Sequence, residues 1–315
     1  MIEYLKPNLK GIIELKKPTK DCWINVYNPD EEELNYLVKL LKVKENEISD
    51  FKNDINSLQD LEEIPILEKW GTKYFMITRT AQKGKGIQDK SLEYHTTPIG
   101  ILITNDYVIT IGFIKSGIIK QFKERNIKFN RISFVLKLLL QSSRNYLTYL
   151  KEMDRKILTI EHRLEESLRN TEIMKLLNLE KSLVFFNTSL KGNQILYERI
   201  AKLKSFSKSE AYEDLIEDML DENKQGIEMA QVYSNIIKST LDVYSSIISN
   251  NLNKVMKVLT SITIIIAIPT LIASIYGMNV ILPFQQSLYA FEITMFISLV
   301  FTILLVIILW KKKWI

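Results

Sequence analysis

The sequence is poor in several residue types that catalytic and metal-binding sites draw on. Of its 315 residues one is cysteine, Cys22, and two are histidine, His95 and His162. A single cysteine excludes an internal disulfide and a cysteine-rich metal site. The two histidines lie far apart and in different expected elements, which speaks against a histidine-based zinc or catalytic cluster. No nucleophile–base set emerges, so an enzyme is the least supported class and no organic cofactor is expected. Proline is absent between Pro98 and Pro269, and between Gly117 and Gly277 only Gly192 and Gly226 occur. So long a stretch without breakers implies long helices. From Val258 to Phe291 no residue carries a charge at neutral pH. The net charge is only +5 and the basic residues are dispersed, so nucleic acid is not an expected partner. The opening Met1-Ile2-Glu3-Tyr4-Leu5-Lys6-Pro7 lacks the apolar core of a signal peptide, which leaves the N-terminus expected in the cytoplasm.

The charge-free run organises the rest. Val258 to Tyr276 alone is long enough to cross a bilayer core as one helix, since about 20 residues at 1.5 Å rise cover roughly 30 Å. The run is not uniformly apolar. Asn253, Met256, Thr260, Thr263, Ala267, Thr270 and Ser274 follow one another at spacings of three or four. They fall within an arc of about 100° on one helix face. Such a face either packs small residues against another helix or lines a water-filled path. The asparagine at one end, and Gly277 and Asn279 at the other, favour the path. Pro269 should kink the helix within a single span, with Thr270 placed to help satisfy the freed backbone groups. Ile293 to Trp310 reads as a second span, apolar with little polar patterning and expected to face lipid. Lys254 and Lys257 precede the first span and Lys311-Lys312-Lys313 follow the second, which places both termini on the cytoplasmic side of the cell membrane.

Tyr276-Gly277-Met278-Asn279 at the outer end of a first span, a second span just after it, and a terminal Lys311-Lys312-Lys313-Trp314-Ile315 resemble the CorA family of Mg²⁺ channels. Gly277-Met278-Asn279 is similar to the signature triplet of that family. The resemblance implies a homopentamer with a funnel-shaped cytoplasmic part, a selectivity filter at Gly277, Met278 and Asn279, and Mg²⁺ as both transported and regulatory ion, with Co²⁺ and Ni²⁺ as lesser substrates. It also implies regulatory cation sites between the stalk and a neighbouring cytoplasmic domain. One feature departs from the family pattern. Many members carry an acid just after a Met-Pro pair in the outer loop, where this chain has Leu282-Pro283-Phe284-Gln285-Gln286. Glu292 is the nearest acid that could attract cations instead. The zinc transporters of the related ZntB type depart from Gly-Met-Asn, which this chain keeps. A two-span receptor or scaffold that conducts nothing is the other alternative, and the polar stripe argues against it.

The remainder reads as an α/β cytoplasmic domain over 1–125, a long-helix hairpin and stalk over 126–252, a pore-lining helix over 253–279, an outer loop over 280–291, and a second span with a basic tail over 292–315. Strands are expected at Ile12–Leu15, Cys22–Tyr27, Ile64–Trp70, Tyr74–Thr80, Ile99–Thr104 and Val108–Phe113, rich in β-branched and aromatic residues. Trp23-Ile24-Asn25-Val26, Pro98-Ile99-Gly100-Ile101-Leu102-Ile103-Thr104 and Tyr107-Val108-Ile109-Thr110 resemble strands of CorA cytoplasmic domains. Asn28-Pro29-Asp30-Glu31 reads as the start of a helix, with Asn28 as its cap. Residues 45–62 suggest more helix, and 81–90 a basic hairpin loop in which Gly84 and Gly86 lack the rest of a phosphate-loop motif. Three long helices are expected at about 130–169, 172–204 and 209–276. On the last, Glu210, Asp214, Glu217 and Asp221 share one face, with Glu213, Asp218 and Glu222 beside them. This is either a solvated face or a binding face for divalent cations between subunits, oxygen-rich as Mg²⁺ prefers. Asp218 falls where the resemblance implies a regulatory acid.

Overall fold

The structure is a computed structural model that describes the chain except residues 9–10, 61–63, 85–90, 125–128, 167–169, 208, 285 and 315. Seven strands form one sheet: β1 (Ile2–Asn8), β2 (Gly11–Leu15), β3 (Cys22–Tyr27), β4 (Ile66–Trp70), β5 (Lys73–Lys83), β6 (Tyr94–Ile103) and β7 (Tyr107–Gly112), in the order β2-β1-β3-β7-β6-β5-β4. Only β3 and β7 run parallel, and every other pair is antiparallel. Alternation along β3 sorts side chains to two faces. Cys22, Ile24 and Val26 meet Leu34 and Leu37 of α1 (Glu31–Leu40) and Phe51 and Ile55 of α2 (Ile48–Ser57). Trp23 points the other way, towards Phe122 of α3 (Gly117–Lys123) and Phe134 of α4 (Arg131–Glu166). Its ring lies 5.1 Å from that of Phe134, and its indole N–H donates to Thr110 Oγ1 at 2.8 Å. This second face also takes Leu196, Tyr197 and Ile200 of α5 (Asn170–Ala201), and Ile216 and Met219 of α6 (Glu210–Tyr276). The sheet is thus covered on both sides. The last element is α7 (Ala290–Lys311).

Several boundaries differ from the sequence reading, each for a local reason. The cap of α1 is Asp30, whose carboxylate accepts from Glu33 N–H while Glu33 reaches back to Asp30 N–H at 3.3 Å. Asn28 instead turns the chain out of β3 at φ 45°, a conformation asparagine tolerates better than most. Strand β1 was not anticipated; it pairs with both β2 and β3 despite Pro7. Strand β5 runs on through Ala81–Lys83, leaving the expected loop at 84–90, of which 85–90 lie outside the described residues. Strand β6 starts at Tyr94, so Pro98 sits inside it, opposite Arg79. The Arg79 backbone faces away from β6. Its N–H donates to Asn193 Oδ1, and its carbonyl accepts from Asn193 Nδ2 and Tyr146 Oη. The missing N–H of Pro98 therefore costs no ladder bond with β5, and β7 pairs with β6 only from Gly100 onward.

The two glycines inside the long helices are places of close approach. A Cβ at Gly192 would lie 2.7 Å from Pro65, and one at Gly226 would lie 3.2 Å from Leu190, where α6 rests on α5. Asn223, fully buried, locks the same contact by donating to Leu190 O at 2.9 Å and Gln194 Oε1 at 2.8 Å. The chain divides into two compact units, Met1–Lys238 and Ser239–Ile315. The division falls within α6, which is one helix of 67 residues and runs through Pro269 without a break.

Candidate ion path and cation site

Among the described residues two helices are long and apolar enough to cross a membrane, α6 and α7. The second unit shows how the first of them uses its faces. Ser261 is fully buried, and Ile264, Ile265, Ile268, Pro269, Ile272 and Tyr276 are partly covered. On α7 the covered positions are Ile293, Thr294, Ile297, Ser298, Thr302, Leu305 and Leu309. These two helices are the only ones in the unit among the described residues, so the covered faces are those they turn to each other. Asn253, Met256, Thr260, Thr263, Ala267, Thr270 and Ser274 are all exposed. At about 100° per residue, the centre of this stripe lies about 150° round α6 from the centre of the covered face. The polar stripe is therefore not the surface on which α6 meets α7.

The hydroxyls on the stripe are oriented by their own helix. Thr263 Oγ1 donates to Leu259 O at 2.9 Å and Thr270 Oγ1 to Ile266 O at 3.0 Å. Each proton is thereby committed to the backbone, which leaves the oxygen as an acceptor towards the exposed side. This also corrects the expected role of Thr270. The carbonyl that Pro269 leaves without an N–H is that of Ile265, four residues back, and Thr270 bonds to Ile266 instead.

Helix α6 ends at Tyr276 and the signature follows as a turn. Gly277 N–H donates to Ala273 O at 3.0 Å and Met278 N–H to Ile275 O at 3.1 Å, a tightening of the last turn. A Cβ on Gly277 would lie 3.3 Å from Ala273 O, so a side chain there would crowd the carbonyl that closes the helix. Met278 and Asn279 are exposed, and Tyr276 Oη donates to Pro283 O at 3.4 Å, tying the outer loop to the helix end.

Sequence reading missed the polar content of α7. Thr294, Ser298 and Thr302 recur every fourth residue on its covered face. Thr294 Oγ1 and Thr302 Oγ1 donate to carbonyls of their own helix, Ala290 O and Ser298 O, both at 2.8 Å. The covered face of α7 thus mixes hydroxyl and aliphatic side chains, and only its remaining faces are free to meet lipid.

The acidic face of α6 lies in the first unit, and the structure divides it. Glu213, Glu217 and Asp221 line an open hollow of about 360 Å³ together with Ala201 and Ser207. Glu222 accepts from Arg144 Nε at 2.9 Å, and Asp218 lies 3.9 Å from Arg144 Nη2. Arg144 of α4 was absent from the sequence reading, because nothing local marks a partner 74 to 78 positions away. Asp214 and Glu210 are exposed. Among the described residues no set of three or more His, Cys, Asp or Glu is arranged to hold a metal ion within one chain.

Comparison with known proteins bears on the family and the fold. The Cobalt/magnesium transport protein CorA of Methanocaldococcus jannaschii is 29% identical over 306 residues, which is 93% of this chain and 91% of that protein. The complete structure of the CorA magnesium transporter from Methanocaldococcus jannaschii superposes with a TM-score of 0.83 at 24% identity, covering 100% of this chain and 99% of the other. The ZntB cytoplasmic domain from Vibrio parahaemolyticus matches with a TM-score of 0.51 at 11% identity, over 76% of this chain and 97% of its own. That likeness is one of fold alone. The family model described as "CorA-like Mg2+ transporter protein" matches residues 20–313, and the chain belongs to that family.

Proposed function

We propose that this divalent-cation transporter carries Mg²⁺ into the cell down its gradient, through a path lined by the exposed stripe of α6 and selected at Asn279. The observation that carries the reading is the position of that stripe. It lies nearly opposite the face that α7 covers and ends at Gly277-Met278-Asn279. Two spans cannot enclose water, so several copies must bring their stripes together around one axis, and rotational symmetry is the closed solution. The exposed Val243, Ile247, Leu252 and Val255 lower on α6 offer apolar surface for such an assembly, for which a pentamer is the proposed number.

Mg²⁺ gives up its water reluctantly. A path that selects it therefore offers acceptors to the protons of its bound waters. The Asn279 amide oxygen and the threonine oxygens on the stripe are acceptors of this kind. A carboxylate ring would hold the ion harder and slow its release. Thioether is a poor partner for a hard ion, so Met278 packs and does not ligate. Purified protein in liposomes tests the reading. Mg²⁺ should enter without an added energy source, with Co²⁺ and Ni²⁺ slower and Zn²⁺ slowest. No uptake of any of the four, or uptake of Zn²⁺ alone, would overturn it.

For regulation, the hollow beside Glu217 and Asp221 is the proposed cation site, completed by a neighbouring subunit. An ion that binds the closed arrangement better shifts the population towards closed. High internal Mg²⁺ then shuts the path and limits uptake. Asp218 is held towards Arg144 and contributes less. The double variant Glu217→Gln/Asp221→Asn should need about tenfold more internal Mg²⁺ for half-closure, within the range of ordinary coupling energies. Asp218→Asn should shift it by less than threefold. Equal closure in parent and double variant would make these acids a solvated face.

A further inference from the structure

Away from the stripe, a crevice opens in the first unit at the carboxyl ends of β3 and β7. These strands are the one parallel pair in the sheet, and they end level with each other at Tyr27 and Gly112. From there the chain leaves in opposite directions, with α1 covering one face of the sheet and α3 the other. In open α/β sheets this divergence leaves a crevice at the strand ends, and ligands bind there. Here the crevice holds about 450 Å³, within the range of small-molecule sites.

Its wall is polar and fixed. Thr110 takes the Trp23 indole proton at 2.8 Å and passes its own to Asn25 Oδ1 at 2.9 Å; Asn25 Nδ2 donates to Glu3 Oε2 at 2.6 Å, and Lys123 Nζ to the same oxygen at 2.5 Å. Burial pushes the Glu3 carboxyl up, but the hydrogen bonds from Lys123 and Asn25, with the Lys123 charge, outweigh it and hold the group below the usual carboxylate range. Val26, Ile99, Ile111 and Ile119 supply an apolar lining. The mouth is basic. The Lys115 ammonium sits 5.8 Å above the Tyr27 ring, and the Lys115 carbonyl is held by Gln82 Nε2 at 2.8 Å. Lys120 completes the rim, and among the described residues neither Lys115 nor Lys120 has a carboxylate partner. Three lysines face one glutamate, which suits an anion. The apolar lining and the Tyr27 ring suit a flat organic group behind it.

We propose that this crevice binds a small phosphate-bearing molecule, with the phosphate at Lys115 and Lys120 and an organic group against Tyr27 and Ile119. The assignment is independent of transport and is read without it. The detergent-solubilised full chain is titrated calorimetrically, in EDTA to exclude divalent ions, with ATP, ADP, inorganic phosphate and adenosine. ATP and ADP should bind saturably, and adenosine much more weakly. Losing a charge-assisted hydrogen bond weakens binding about tenfold, so Lys115→Ala/Lys120→Ala should raise Kd about a hundredfold. The charge-matched control Lys16→Ala/Lys17→Ala should leave it unchanged, and both double variants should melt with the parent. Inorganic phosphate binding as tightly as ATP would support the anion site and name the free ion as its occupant. No saturable binding by any phosphate-bearing probe, or binding that survives the loss of both lysines, would overturn the proposal.

Discussion

Asn279→Ala should reduce Mg²⁺ uptake at least a hundredfold while the protein still assembles. Asn279 is exposed in the turn that follows α6, immediately beyond the stripe. In a symmetric assembly its side chain is repeated around the axis, so a single substitution removes every copy at once. A hydrogen bond contributes about 1 kcal/mol net, so three copies acting together suffice for more than a hundredfold. Alanine leaves no acceptor for the protons of the hydrated ion. Asn279→Asp should retain binding but slow release, because a ring of charges holds a divalent ion harder. Met278→Leu should stay within a few-fold of the parent. These rates are read in liposomes, with assembly checked by size-exclusion chromatography. Parental flux through the alanine variant would remove Asn279 from the selectivity role.

The second large effect concerns the first unit. Asn193, fully buried on α5, accepts from Thr78 Oγ1 and from Arg79 N–H, both at 3.0 Å, and donates to Arg79 O at 2.8 Å. It does for the free side of β5 what a neighbouring strand would do, beyond the point where β4 stops pairing at Ile77. With alanine there, the Arg79 carbonyl keeps its bonds from Ser142 and Tyr146, but Thr78 Oγ1 and Arg79 N–H both lose their bond to the Asn193 oxygen. Losing these buried hydrogen bonds and leaving a cavity should cost about 3–5 kcal/mol in total. Cys22 provides the readout. It is the only thiol, it is fully buried on β3, and burial pushes its pKa up, so it reacts only when the unit opens. Asn193→Ala should speed its labelling by about a hundredfold or more, as expected when opening becomes easier by that energy. Lys191→Ala, exposed on the same helix, should leave the rate unchanged.

The two candidate spans and the polar stripe were legible in the sequence because membrane constraints act locally. A charge-free run of this length is able to span, and polar residues inside it at helical spacing share a face. The rest depended on what each face meets. Isoleucine serves equally against lipid and against α7, so Ile264 and Ile265 could not be told from Ile262 and Ile266 by residue type. The threonines of α7 bond to their own helix, so a hydroxyl there marks neither water nor a partner. Likewise the acidic face read as one surface because helical spacing groups residues by angle, while Arg144, brought in by the fold, separates Asp218 and Glu222 from Glu217 and Asp221. In the first unit, β3, β6 and β7 were recognisable by their β-branched and aromatic residues. Strand β1 was not, since Lys6 and Pro7 weaken the pattern that its two neighbours then enforce. Asp30 displaced Asn28 as the helix cap because the capping box with Glu33 offers two hydrogen bonds.

Accessibility along α6 tests the central claim most directly. In a Cys22→Ala background, single cysteines at positions 263, 270 and 274 sit on the stripe, and those at 264 and 265 on the face turned to α7. In membranes, a small charged thiol reagent should label Thr263→Cys, Thr270→Cys and Ser274→Cys, and Mg²⁺ should slow that labelling. Ile264→Cys and Ile265→Cys should remain unlabelled under the same conditions. Equal labelling of both faces, or labelling of neither with Mg²⁺ uptake intact, would contradict a cation path along the stripe.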